Sequence, residues 1–411
     1  MNNTPKGNRK HIVFYGKRNA GKSTLMNRIV GQDISVVSSI KGTTTDPVSK
    51  AVELIPFGPV LFIDTGGVDD GGDLGELRVE KTENTLEKAD FAVYVISIED
   101  RDEGFYLEYR EKFKERNIPY ITVINKIDTV SEEKLKQIRY DLVINKKWKN
   151  TVFTTIKDGQ TIENLKDEII KNLKKDSEEE TFIGDLIPQN GKVILVVPID
   201  SEAPKGRLIL PQVQLIRDCL DHGIKSYVVR DTELASAIED LAEIDLVVTD
   251  SQIFKKVDQI VPKHIPLTSF SILMARQKGD LSVFLEGIQA IERLKEREFP
   301  RVLIMESCSH NTSHEDIGSV KIPMMLNKYL GKPIDFQFRM GEDFPKNIED
   351  YDVVVHCGSC MLNKKAMEHR IRICKLNNVP LTNYGIVLAY LTGILERSVK
   401  IFHLNFILPK F

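Results

Sequence analysis

The feature that most restricts how this chain can fold is an apolar run, His11 to Tyr15, leading directly into Gly16-Lys17-Arg18-Asn19-Ala20-Gly21-Lys22-Ser23. This GxxxxGK[ST] pattern works only between a strand and a helix, because its backbone N–H groups converge on phosphate where the loop opens a helix. Thr24 to Val30 supplies the helical stretch. Gly16, Asn19, Ala20, Gly21 and Thr24 are expected to surround the phosphates. Lys22 would reach the outer ones, and the Ser23 hydroxyl would ligate Mg2+.

Two further strand ends carry matching chemistry. Val60 to Ile63 delivers Asp64-Thr65-Gly66-Gly67, where Asp64 can hold the magnesium shell and Gly67 can offer its N–H to a γ-phosphate. Tyr120 to Ile124 ends in Asn125-Lys126-Ile127-Asp128, the NKxD pattern. The Asp128 carboxylate would accept from the ring N–H and the exocyclic amine of guanine. Adenine lacks that pair and would leave a buried carboxylate unpaired. Three motifs in this order specify a guanine-nucleotide site. Thr155-Ile156-Lys157 resembles the usual fifth motif only loosely.

The remaining sequence continues in alternating strands and helices. After a charged linker, Asn172 to Glu180, come strand Lys192 to Val197, helix Pro211 to Asp221, and strands at Ser226 to Val229 and Asp245 to Thr249. From about Phe270 the pattern resumes with helix Leu281 to Arg297 and strand Arg301 to Glu306. Helix Ile317 to Leu330 and strand Asp352 to Val355 follow, then helix Lys364 to Leu376 and a helix beginning near Ile386. The fold class is therefore α/β: a P-loop domain over residues 1–178, then two α/β domains with mostly parallel sheets, over 182–268 and 270–411. The 411 residues are 28% charged with a net charge of -3, which argues against a protein that lives on nucleic acid. The apolar run Ile386 to Leu395 is too short to span a bilayer. No secretory signal is seen, so a cytoplasmic protein with no membrane partner is expected.

The five cysteines are unevenly placed. Cys219 and Cys374 share helix faces with apolar residues and read as core. Cys308, with His310 beside it, and the run His356-Cys357-Gly358-Ser359-Cys360 both follow predicted parallel strands. Ligands gather at that edge of an open α/β sheet, so distant segments can meet there. Ligand softness and spacing favour an iron–sulfur cluster. A tetrahedral zinc site, a redox dithiol and cysteines without a joint role remain open.

The GxxNxGKS, GTTTD (Gly42 to Asp46) and DTGG segments resemble the GTPase branch that includes tRNA-modification and ribosome-assembly GTPases. That resemblance implies that Thr44 completes the magnesium shell, that Asn19 holds K+ beside the phosphates, and that Val68 stands where Ras-like proteins carry a water-orienting glutamine. Lys22, Thr44 and Asn19 would thus carry catalysis. The whole chain, with its CxHx45HCxxC ending and the stretch Ala203 to Gln212, closely resembles the FeFe-hydrogenase maturation GTPases (the HydF family). The resemblance implies a 4Fe-4S cluster on Cys308, Cys357 and Cys360, and a middle domain that makes a homodimer. It also implies GTP and GDP as ligands, radical-SAM maturases and apo FeFe-hydrogenase as partners, and a transient di-iron subcluster as cargo. Three cysteine ligands would leave a fourth iron open, with His310, His356 and Glu315 as candidate ligands and His314 nearby. The competing expectation, an RNA- or ribosome-directed GTPase with a structural zinc, would need a basic or base-stacking module, and none is seen after Phe182.

Overall fold

The computed structural model describes residues 4–31, 36–40, 47–66, 79, 81–101, 103–148, 150–175, 181–199, 208–307, 317–341, 344–345 and 347–404. The chain divides into two compact units, Met1–Glu179 and Glu180–Phe411.

The first unit is built on strands β1 (Lys10–Tyr15), β2 (Val36–Ile40), β3 (Val48–Leu54), β4 (Gly58–Asp64), β5 (Phe91–Ser97), β6 (Tyr120–Asn125) and β7 (Thr151–Phe153). They form one sheet in the order β2-β3-β4-β1-β5-β6-β7, with β3 antiparallel to both β2 and β4 and all other neighbours parallel. In β1 the side chains alternate between two buried cores, Ile12 and Phe14 in one, Val13 and Tyr15 in the other. A strand covered on both faces reads as an unbroken apolar run. Helices α1 (Lys22–Val30) and α4 (Gly159–Lys175) cover the first face; α4 buries Ile162, Leu165, Ile169 and Leu173 at helical spacing. Helices α2 (Glu103–Glu115) and α3 (Glu132–Tyr140) cover the other, with Tyr106, Tyr109, Phe113 and Ile138 buried there.

The second unit holds two four-stranded parallel sheets. One comprises β8 (Lys192–Val196), β9 (Lys225–Val229), β10 (Leu246–Thr249) and β11 (Leu267–Ser269), in the order β11-β10-β8-β9. The other comprises β12 (Arg301–Glu306), β13 (Asp335–Met340), β14 (Val353–His356) and β15 (Leu381–Asn383), in the order β13-β12-β14-β15. Counted from its own first strand, each sheet follows the same path, second-first-third-fourth. The likeness reaches single atoms. The Asp245 carboxylate accepts the Lys192 N–H at 2.7 Å ahead of β10. The Asp352 carboxylate accepts the Arg301 N–H at 2.9 Å ahead of β14. Each sheet ends in a capped helix, α8 (Phe270–Lys278) after Ser269 and α12 (Tyr384–Leu391) after Asn383. The second unit is therefore a structural repeat.

Helices α5 (Leu210–Asp221), α6 (Leu234–Asp240) and α7 (Phe254–Ile260) belong to the first half of that repeat. Helices α9 (Leu281–Arg293), α10 (Ile322–Leu330), α11 (Lys364–Leu376) and α13 (Leu395–Val399) accompany the second. The halves share one continuous core, which takes in Ile194, Val196 and Val247 from one sheet and Val302, Ile304 and Val354 from the other. Helices α8 and α12 cross so closely that a Cβ on Gly385 would lie 2.7 Å from the Ser271 Cβ. Arg397 of α13 is bonded to the Asp258 carboxylate at 2.5 Å and to the carbonyls of Val261, Pro262 and Ile265.

Three expected helices differ in detail. The one expected to Arg297 stops at Arg293 and closes in a 3-10 turn, Leu294–Glu296. The one expected over Ile317 to Leu330 begins as a π turn, Ile317–Lys321, and becomes α-helical at Ile322, because Pro323 fits only the first turn. The last long helix begins at Tyr384, two residues before the expected start, because Asn383 caps it. Among the described residues no helix is long and apolar enough to cross a membrane.

Candidate functional site

The phosphate loop is shaped by residues that only tolerate small or unusual backbones. Gly16 has φ +139°, and a Cβ there would lie 2.2 Å from the Val95 carbonyl oxygen. Gly21 has φ +96°, and its Cβ would meet the Asn125 amide at 2.4 Å. Asn19 takes the left-handed conformation at φ 60°, which asparagine tolerates better than most residues. Lys22 is buried and its ammonium donates to the carbonyls of Gly16 (2.8 Å) and Lys17 (2.9 Å), spanning the loop. Ala20 presents its carbonyl to the Asn125 amide at 3.0 Å. The NKxD strand end therefore braces the phosphate loop from inside.

Asp64 ends β4 beside the loop. Burial raises its pKa, while a hydrogen bond from Ser23 and the charge of Lys22 pull it down. Its Oδ1 is buried and meets no hydrogen-bond partner among the described residues. A carboxylate oxygen left in that state next to a hydroxyl fits a hard, oxygen-preferring cation, so Ser23 and Asp64 suit Mg2+.

Beyond β6, Asp128 is held by two neighbours. Its Oδ1 accepts from the Thr155 hydroxyl at 2.5 Å, and Lys157 pairs with Oδ2 at 2.6 Å. These two bonds hold its pKa below the usual carboxylate range, the Lys157 contact most strongly. The Thr155 to Lys157 segment, a loose match in sequence, thus sits on Asp128. Its signal in the sequence was the Thr-x-Lys triplet alone. Lys126, in the left-handed conformation, and Asn19 line a cleft of about 210 Å3 with Lys17, Ser97 and Asp100. Thr44, Gly67 and Val68 lie outside the described residues.

The cysteine turn occupies the carboxyl edge of the last sheet. Cys357 follows β14, and its sulfur lies 3.2 Å from both the N–H and the hydroxyl of Ser307, which follows the neighbouring strand β12. Burial raises its pKa, and the Ser307 hydrogen bonds pull it back. Cys360 packs toward α8 and the core of the first half of the repeat. Neither thiol is in a disulfide and both are only partly buried, and an N–H donor to sulfur, as on Cys357, is a feature of thiolates that bind soft metals. The described part of the donor set fits an iron–sulfur cluster. Cys308, His310, His314 and Glu315 lie outside the described residues, and no group of three metal-binding side chains occurs among those described.

His356 is corrected by the structure. It is fully buried, Nδ1 lies 2.9 Å from the Cys357 carbonyl oxygen, and Arg370 donates to Nε2 at 2.6 Å. Both ring nitrogens are committed within the protein, so it is not available as the fourth cluster ligand. Burial, then the Arg370 charge, pushes its pKa down to about 3, and the ring is neutral. Sequence reasoning missed Ser307, Arg370 and Asn383, which surround the turn; none stands in a motif. Cys219 and Cys374 are buried on α5 and α11, where burial pushes each thiol up to about 12.

The phosphate loop, with Asp64 beside it and the NKxD segment after β6, marks the first unit as a P-loop GTPase domain. Residues 11–126 match the 50S ribosome-binding GTPase family. Beyond it, residues 182–279 match the hydrogen maturase F dimerization domain and residues 282–401 the hydrogen maturase F tetramerization domain. These two matches together span more than half of the chain, which belongs to the hydrogen maturase F family. Its last segment, expected only to carry a cluster, thus matches a domain named for self-association.

Similarity to individual proteins is concentrated in the first unit. The tRNA modification GTPase MnmE of Leptospira interrogans is 32% identical over 148 residues, 36% of this chain and 29% of that protein. GTPase Era of Heliobacterium modesticaldum is 27% identical over 223 residues, 48% of this chain and 74% of that protein. The chain thus spans under a third of this tRNA modification GTPase. Among solved structures, Era in complex with MgGDPNP and a segment of 16S ribosomal RNA is 21% identical, covering 54% of this chain and 91% of that one, with a TM-score of 0.35. The G domain of the T. maritima FeoB iron transporter is 22% identical, covering 39% and 97%, with a TM-score of 0.30.

Proposed function

We propose that this chain is a GTP-hydrolysing scaffold and carrier in hydrogenase maturation. It holds a 4Fe-4S cluster on Cys308, Cys357 and Cys360, and assembles and delivers the di-iron subcluster to apo FeFe-hydrogenase. The observation that carries the reading is the pairing, in one chain of this family, of a GTPase domain with a Cys-x-x-Cys turn at a sheet's carboxyl edge. A cluster bound there supplies an iron with an open position for an incoming unit. This chain's residues hold the sulfurs, donate to them and shield them. Radical-SAM maturases are the proposed partners upstream and apo-hydrogenase the partner downstream, with the protein acting as a cytoplasmic homodimer or a higher assembly of it. The division into segments 1–178, 182–268 and 270–411 belongs to the same proposal.

Asn19 is proposed to hold K+ beside the phosphates, compensating for Val68 where a water-orienting glutamine would stand. Hydrolysis is then slow and faster in potassium than in sodium; equal rates in both salts, with Asn19→Ala like the wild type, would remove the cation from the account. The whole reading is tested by activating apo-hydrogenase with the loaded protein. Wild type activates and Cys308→Ala does not. Full activation by Cys308→Ala would end the proposal.

A further inference from the structure

The Cys357–Cys360 turn is gripped from behind at one atom, the Cys357 carbonyl oxygen. A carbonyl can only accept, so the His356 ring, with Nδ1 at 2.9 Å, must carry its proton there. Asn383 donates its amide to the same oxygen at 3.3 Å, and the Ser359 hydroxyl lies 3.3 Å from that oxygen, 3.2 Å from His356 Nδ1 and 3.1 Å from the Met367 sulfur. Ser359 itself has φ 58° and is buried, so the turn passes through a left-handed residue two positions after the carbonyl that His356 and Asn383 hold.

What fixes the tautomer of His356 lies one layer deeper. Arg370 on α11 is 2% exposed. Its Nη1 donates to His356 Nε2 at 2.6 Å, Nη2 donates to the Gly341 carbonyl at 3.2 Å, and the guanidinium lies 5.5 Å from the Phe344 ring centroid. A guanidinium has donors and no acceptor. It therefore tolerates only an imidazole whose Nε2 is a lone pair, which is the tautomer whose Nδ1–H can reach the carbonyl.

We propose that Arg370 and His356 are positioning residues for the cluster-bearing turn: Arg370 fixes the tautomer and orientation of the imidazole, and the imidazole fixes the Cys357 peptide and so the spacing of the two thiols. This rests on the reading of Cys357 and Cys360 as cluster ligands. Neither residue touches iron. Their effect is on how well the sulfurs are preorganised, and outer residues of this kind change metal retention by about 10–100-fold when removed.

The test uses the full chain, reconstituted with iron and sulfide without oxygen, and a ferrous-iron chelator as the probe. Arg370→Met, which removes the donor, should release iron at least about tenfold faster than wild type and broaden the EPR signal of the reduced cluster. Arg370→Lys keeps a donor and should recover most of the retention. Release from Arg370→Met at the wild-type rate would overturn the proposal, as would Arg370→Lys behaving no better than Arg370→Met. Should Arg370→Met fail to fold, the tautomer of wild-type His356, read from its ring nitrogen shifts after histidine-selective labelling, decides the matter. A neutral ring protonated on Nδ1 supports the proposal, and protonation on Nε2 overturns it. Wild type that takes up no cluster at all would overturn the cluster reading itself, a result distinct from any difference between variants.

Discussion

The two halves of the second unit share a plan down to individual hydrogen bonds, yet differ where chemistry is expected. In the first half β10 ends in Thr249-Asp250-Ser251, and the Asp250 carboxylate accepts the Gln252 N–H at 3.0 Å, closing a short 3-10 turn on itself. In the second half β14 ends in His356-Cys357-Gly358, and the cysteine sulfur instead meets donors of Ser307 across the neighbouring strand's end. One edge is satisfied locally; the other presents two thiols and is buttressed by a buried Arg370–His356 pair. The same scaffold therefore carries a cysteine turn in one copy and a capped turn in the other. The fold supplies the edge, and a handful of side chains supply the function.

The largest expected effect breaks that comparison directly. Cys357→Ala should abolish the iron content of the purified protein, whereas Asp250→Ala, at the equivalent place in the other half, should leave it intact and cost only about 1 kcal/mol of stability through the lost cap. Comparable iron loss in both variants would mean that the two edges are not functionally distinct. The next effect concerns whether the halves are one body. Arg397→Ala removes an ion pair to Asp258 and bonds to four carbonyls of the other half, and should lower the stability of the second unit by about 3 kcal/mol in a chemical denaturation series. A loss below about 0.5 kcal/mol would show that this joint contributes little. The smallest effect is on the buried thiols. Cys219→Ala and Cys374→Ala, one in each half, should each cost about 1 kcal/mol and leave iron content unchanged. Loss of iron from Cys374→Ala would show that the ligand set was misassigned.

How much of this could be seen in the chain before its structure follows from the length and burial of each element. Strand β1 and the loop after it were legible because His11 to Tyr15 is apolar on both faces and the glycine spacing is constrained by phosphate geometry. The three-residue strands β7, β11 and β15 were not, since three residues carry too little alternation to distinguish strand from loop. The repeat had a signal that went unused: Pro266-Leu267-Thr268-Ser269-Phe270 and Pro380-Leu381-Thr382-Asn383-Tyr384 are the same strand-to-helix junction in the two halves. The cysteines were placed at a strand end from pattern alone. The role of His356 was not, because its neighbour in sequence is a thiol while its partner in space, Arg370, lies on α11.

The central claim, that the second copy of a repeated sheet carries an iron–sulfur cluster beside a GTPase domain, is tested most directly by the metal itself. Elemental analysis of the wild-type chain purified without oxygen, with EPR after reduction, should find about four iron atoms per chain and the signal of a reduced 4Fe-4S cluster. One zinc per chain with no iron and no such signal would contradict it.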